Sequence, residues 1–241
     1  MMETALLAIW RPLSATPLLW LAATLIAYAI GRGIQLACEG APLANPVLIA
    51  IVLVAVVLGA SGTSYATYFA GAQFIDFLLG PATVALAVPL AANVGHVRRS
   101  FHGIGLALVA GSLTSAVSGV VVVWLLGGDR AIAFSMAPKA VTTPIAMALA
   151  REVGGVPALT TALAISGGIV AAVIGRPVLW WLRVDDWRAQ GLAAGVAGSG
   201  VAAAQVAPLS GLAAAFAALG IGLNGLITAL IIPLLARFWV G

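Results

Sequence analysis

From Gly103 to Leu126 the sequence runs for 24 residues without a charged side chain. A helix of that length rises about 36 Å, enough to cross the roughly 30 Å hydrocarbon layer of a bilayer. Similar runs recur at Pro17 to Leu36, Pro157 to Leu182 and Leu209 to Val240, each interrupted by one arginine. Only 7% of the 241 residues are charged and the mean hydropathy is +1.15, whereas a soluble domain carries about 25% charged residues. The runs do not alternate as barrel strands must. The chain reads as an all-α integral membrane protein, one transmembrane domain over 1–241 with about seven or eight transmembrane helices. Residues 1–16, with Trp10, Arg11 and Pro12, read as an interfacial lead-in rather than a cleaved signal.

Charge and composition exclude several classes. The net charge of +4 is small and scattered, which suits a membrane facing anionic lipid and not nucleic acid. The single cysteine, Cys38, forbids an internal disulfide and reads as a small buried residue near a helix end. Two histidines, His96 and His102, fall in the basic stretch HVRRSFH, read as a loop, with no cysteine or carboxylate cluster to complete a metal site. No nucleophile–base pair and no Gly-rich nucleotide loop appears, so neither an enzyme nor a cofactor is expected. Most of the seven tryptophans fall at proposed span ends, where indole sits among headgroups. Arg98 and Arg99 are expected on the cytoplasmic side.

Ser135 to Leu149, SMAPKAVTTPIAMAL, breaks the pattern. Proline removes a backbone donor and clashes with the preceding turn. Lysine near a bilayer centre costs at least about 2.5–3.5 kcal/mol. Such residues are expected where they line a site. The simplest reading is a helix broken at Pro138, its second half starting near Ala140 and aiming free N–H groups at an anion. Lys139 adds a full positive charge. The hydroxyls of Thr142 and Thr143 either hold substrate oxygens or satisfy backbone groups freed by the prolines; both readings stand.

A second interrupted segment, Gly80 to Leu90, aligns with Ala137 to Met147: Pro81 meets Pro138 and Val84 meets Val141. Tyr65 to Ala92 is then one interrupted span, or a span plus a re-entrant half-helix, and repeat units lie around 45–126 and 129–240. Paired interruptions of this kind point to a transporter binding site. Thr83, after Pro81, is a candidate ligand, as is Asn93 at the segment's end. Asp76, if desolvated, has its pKa raised and is the proton-coupling candidate. Ser199, Gln205 and Asn224 are polar residues within apolar helices and read as inter-helix hydrogen-bonding groups. Gly191 and Gly195 form a GxxxG, with Gly198 and Gly200 beyond, allowing close helix approach.

FLLGPATVALAVPL (Phe77 to Leu90) and APKAVTTPIAMAL (Ala137 to Leu149) resemble the two signature stretches of the LrgB/CidB family. Asn45-Pro46, Tyr65, Tyr68 and Gly154 to Thr160 agree, and the resemblance covers about Leu18 to Arg237. One stretch departs: the family usually carries a histidine where Ser199 stands, a threonine at Ala203 and an acidic residue at Pro208. The resemblance implies a protein of the bacterial cytoplasmic membrane, either a carrier for small monocarboxylates of the glycolate, glycerate or pyruvate type or a holin- or antiholin-like regulator of murein hydrolase export. It also implies a homo-oligomer, such as a dimer, and an LrgA-like membrane partner. On the carrier reading the substrate-binding residues are Lys139, Thr142, Thr143, Thr83, Pro138, Pro81, Ser199 and Asn93. A holin-like pore needs no such shaped site.

Overall fold

A computed structural model describes residues 16–239 apart from 40, 42–43, 79–80, 82–83 and 85–86. Every element among the described residues is helical: α1 Pro17–Ala37, α2 Pro46–Ser61, α3 Tyr65–Phe77, α4 Ala87–Ala92, α5 Val94–Arg99, α6 Phe101–Leu125, α7 Arg130–Met136, α8 Thr143–Val153, α9 Pro157–Trp181, α10 Trp187–Val206 and α11 Gly211–Trp239. Four of these, α1, α6, α9 and α11, are long and apolar enough to cross a membrane; α2 is apolar but shorter. Their outward faces are apolar, with Leu125 81% and Leu126 82% exposed. Water would penalise such a surface and lipid accepts it.

The chain divides into two compact units, Met1–Ala85 and Leu86–Gly241. In the first, Pro46 opens α2 behind Asn45, whose Oδ1 accepts from Val47 N at 2.9 Å and Leu48 N at 3.2 Å, satisfying amides a helix start leaves free. Gly62 ends α2 at φ 64, a left-handed turn suited to glycine. Trp20 is 1% exposed and packs edge-on against Tyr68, so it is a core residue and not a headgroup anchor. Trp180 and Trp181, at the end of α9, are exposed as expected. Cys38 is exposed at the C-cap of α1, not buried. The interrupted segment around Pro81 lies largely outside the described residues. Pro81 itself is exposed.

The second unit is built from α4 to α11. The basic stretch is helical rather than a loop, forming α5 and the first turn of α6. Ser100 N, at the junction, bonds back to His96 O and Val97 O. α6 then runs from this basic end to the end that carries Asp129 and Arg130. The next two helices do not cross. Arg130, the first residue of α7, and Glu152 and Val153, at the end of α8, line one cavity. The arms enter and leave at the same end, as a helical hairpin with Pro138 and Lys139 at its turn.

Three contacts pin this hairpin to α9. Ser135 Oγ accepts from Val156 N at 2.7 Å, Thr160 Oγ1 donates to Ser135 O at 3.1 Å, and a Cβ on Gly155 would stand 2.9 Å from the backbone of Phe134.

α9 returns to the basic end and α10 starts there. Ser199 interrupts α10 with φ 48 and ψ −138. Trp187 at the start of α10 and Val206 at its end pack in one apolar cluster with Ala213, so α10 also doubles back. The two hairpins enter the unit from opposite ends. Among the described residues four helices are long and apolar enough to cross, and the two hairpins take up part of the remaining apolar sequence. α11 runs beside the first arm of α10, and a Cβ on Gly191 or Gly195 would collide with the carbonyl of Ala213 or Ala217. Gly195→Val is therefore expected to destabilise by about 1–3 kcal/mol through overpacking, read as a lower unfolding temperature in detergent. Gly200→Ala, where nothing lies within 4 Å, is expected to leave it unchanged.

Candidate functional site

Proline and lysine stop the first hairpin's helix in mid-bundle. After Met136 the chain leaves helix, Pro138 is fully buried, and Lys139 is half-buried. α8 begins at Thr143, not near Ala140, because Pro144 in its first turn is pre-set for a helix start while Thr142 is extended at ψ 144. Thr142 occupies the N-cap without making a side-chain cap bond. The half-buried Thr142 and Thr143 therefore flank a helix start whose first amides point at the hairpin tip.

Lys139 Nζ donates to Ser115 O at 2.6 Å and lies 3.3 Å from Ser115 Oγ, both on α6. It fits there because Gly119, one turn on, has no side chain: a Cβ at that position would stand 2.8 Å from Nζ. Among the described residues the only ion pair is Arg188–Asp186, far along the sequence at the basic end. The ammonium is thus held by neutral oxygens, and a partly desolvated cation with neutral partners favours an anion beside it.

The space for one is present. A cavity of about 430 Å³ is lined by Lys139 and Ala140 from the first hairpin, by Ala197 and Ala202 on either side of the Ser199 reversal, and by Arg176, Gln190 and Gln205. Among the described residues Lys139 and Arg176 are its cations, and no carboxylate lines it. Gln190 Oε1 is buried with no hydrogen-bond partner, an acceptor left available to a donor in the cavity. Ser115 also borders a larger cavity of about 870 Å³ between α6 and α10, which reaches the basic end at Ser100, Asp186 and Arg188. There the Arg188 guanidinium, hydrogen-bonded to Asp186, holds that carboxyl below the usual carboxylate range.

Asn224 ties the two tips together. It is 1% exposed; its Nδ2 donates to Ala140 O at 3.0 Å and Val196 O at 3.2 Å, and its Oδ1 accepts from Ser112 Oγ at 2.5 Å. One side chain on α11 thereby serves both hairpins and α6.

The sequence candidates separate into groups. Pro138, Lys139, Thr142 and Thr143 share the first hairpin and Ser199 turns the second; of these only Lys139 lines the cavity, beside Ala140, Ala197 and Ala202. Asn93 is half-buried at the N-cap of α5, away from the tips. Thr83 lies outside the described residues. Asp76 is in α3 of the first unit, and its side chain is likewise outside what is described. Ser115 and Arg176 escaped the sequence reading: serine is common in membrane helices, and Arg176, five residues before Trp181, looks like an interfacial charge.

An all-helical membrane protein, with four long apolar helices among the described residues and a cation where one helical hairpin turns, is the class that the fold and site define. The LrgB-like family matches residues 24–238. The chain is similar to the antiholin-like protein LrgB of Bacillus mycoides (strain KBAB4) and to that of Bacillus cereus (strain B4264), 33% identical to each over 223 residues, 92% of this chain and 97% of each relative. The chain belongs to the LrgB-like family. No solved structure matches it.

Asn224→Leu is expected to leave the carbonyls of Ala140 and Val196 unsatisfied, each costing about 1–3 kcal/mol. The loss should appear as a lower unfolding temperature in detergent.

Proposed function

We propose that this chain acts in the bacterial cytoplasmic membrane in the antiholin-like role that its relatives' names carry, restraining the release of murein hydrolases. The observation behind this reading is the extent of the likeness: the relatives named antiholin-like align over 92% of the chain. A homo-oligomer and an LrgA-like membrane partner belong to the same proposal. The test is expression of the chain in a bacterium whose own gene of this family has been deleted. Secreted murein hydrolase activity should fall toward the parental level; no change in that activity sinks the antiholin-like reading.

A second reading, a carrier or facilitator for small monocarboxylates of the glycolate, glycerate or pyruvate type, is favoured by one feature of the geometry: the 430 Å³ cavity with two cations and, among the described residues, no carboxylate. On this reading the protein is not an enzyme and needs no cofactor. The carboxylate replaces Ser115 as the partner of Lys139, with the Thr142 and Thr143 hydroxyls and the first amides of α8 within the same tip. Pro138 holds the break open and Ser199 turns the facing hairpin. Asp76 remains the proton-coupling candidate, and Thr83, Pro81 and Asn93 remain further candidate ligands.

The experiment is uptake of labelled pyruvate, glycolate and glycerate into liposomes containing the purified chain and a trapped larger dye. A carrier gives saturable uptake without dye release, and Lys139→Ala abolishes the uptake while the protein still inserts. Asp76→Asn is expected to remove any dependence on an imposed pH gradient. Saturable uptake that survives Lys139→Ala would eliminate the role given to the ammonium.

A further inference from the structure

At the end of the second unit opposite α5, Arg130, Glu152, Val153, Pro233, Ala236 and Arg237 line a cavity of about 370 Å³. Arg130 opens α7, Glu152 is in the last turn of α8, and Arg237 is in the last turn of α11. Three separate elements thus bring two guanidiniums and one carboxylate to one hollow. The Arg130 guanidinium lies over the Phe134 ring, 5.0 Å from its centroid. Phe134 is 1% exposed, so the platform is fixed. Although Glu152 shares the cavity, neither arginine pairs with it: among the described residues the only ion pair is Arg188–Asp186.

Two guanidiniums and one carboxylate leave one net positive charge, which matches a singly charged phosphodiester. Arginine's planar fork suits phosphate oxygens. The carboxylate repels a second charge and accepts from a hydroxyl. Below the charges the surface is apolar. Leu230 and Leu234, 70% and 54% exposed, precede Arg237 by seven and three residues and so share its face of α11. A charged hollow above a stripe of outward leucines has the amphipathic layout of a phospholipid, headgroup in the hollow and acyl chain along the helix.

We propose that this hollow binds the headgroup of an anionic phospholipid. Arg130 and Arg237 grip the phosphodiester oxygens, Glu152 accepts from a headgroup hydroxyl, and Leu230 and Leu234 carry one acyl chain. Because Arg130 starts the arm that leads to Lys139, the bound lipid anchors the base of the first hairpin.

The test is native mass spectrometry of the full chain in mild detergent, with phosphatidylglycerol, phosphatidylcholine or inorganic phosphate added at equal concentration. The parent is expected to retain one phosphatidylglycerol about tenfold more tightly than phosphatidylcholine, with inorganic phosphate not displacing it. The Arg130→Gln/Arg237→Gln pair should abolish that preference, while Arg98→Gln, at the opposite end, keeps it. Glu152→Gln provides an independent arm, expected to narrow the preference for phosphatidylglycerol over phosphatidic acid while retaining anionic lipid. Equal retention of phosphatidylglycerol and phosphatidylcholine overturns the proposal, as does a preference that survives the double substitution. Displacement by inorganic phosphate overturns it too, because the hollow is then a site for free phosphate.

Discussion

A helix that stops halfway through a bilayer leaves carbonyls and amides that lipid cannot satisfy. The second unit contains two helix interruptions, after Met136 and at Ser199, and Asn224 serves both. Its amide nitrogen serves Ala140 O at the tip of one hairpin and Val196 O just before the reversal of the other. Its oxygen is occupied by Ser112. The hairpins, entering from opposite ends, are therefore referenced to one point on α11. The close glycine–alanine seam between α10 and α11 brings the backbone within reach of so short a side chain.

Around that point the protein keeps a charge without a charged partner among the described residues. Lys139 is held by the carbonyl and hydroxyl of Ser115, over a glycine that leaves room for it. This differs from the Arg188–Asp186 pair at the basic end, where opposite charges meet in a forked contact and neutralise each other. The exposed pair caps a helix. The half-buried ammonium faces a cavity in which Arg176 adds a second positive charge. The antiholin-like name belongs to the relatives, and the cavity with its two cations is what this chain's own interior shows.

Much of this was legible in the sequence and some was not, for physical reasons. The long helices were visible because uncharged runs of about 20 residues have few alternatives. The Pro138–Lys139 break was visible because those residue types violate a membrane helix outright. The reversal at Ser199 was not. Gly198-Ser199-Gly200 reads equally well as tight packing, and a serine at positive φ is uncommon enough that nothing in the sequence announces it. Ser115 was invisible because its carbonyl, common to every residue, makes the shorter contact. The basic stretch at His96 to His102 was misread because charge suggested solvent, whereas a short helix can carry arginines in its last turn, where they complement the dipole.

The opposed hairpins also set an electrical depth. The middle residues of α6, α9 and α11 are Leu113, Ile169 and Gly225, and the residues that meet at the tips, Ser115, Gly168 and Asn224, stand within two positions of them. An ion seated beside Lys139 would have traversed roughly half of the transmembrane voltage, equivalent to about 1 kcal/mol per 100 mV for a single charge. On the carrier reading, occupancy of that position would be coupled to the energised state of the membrane, and the cell's own potential would enter the binding equilibrium without any dedicated sensor helix.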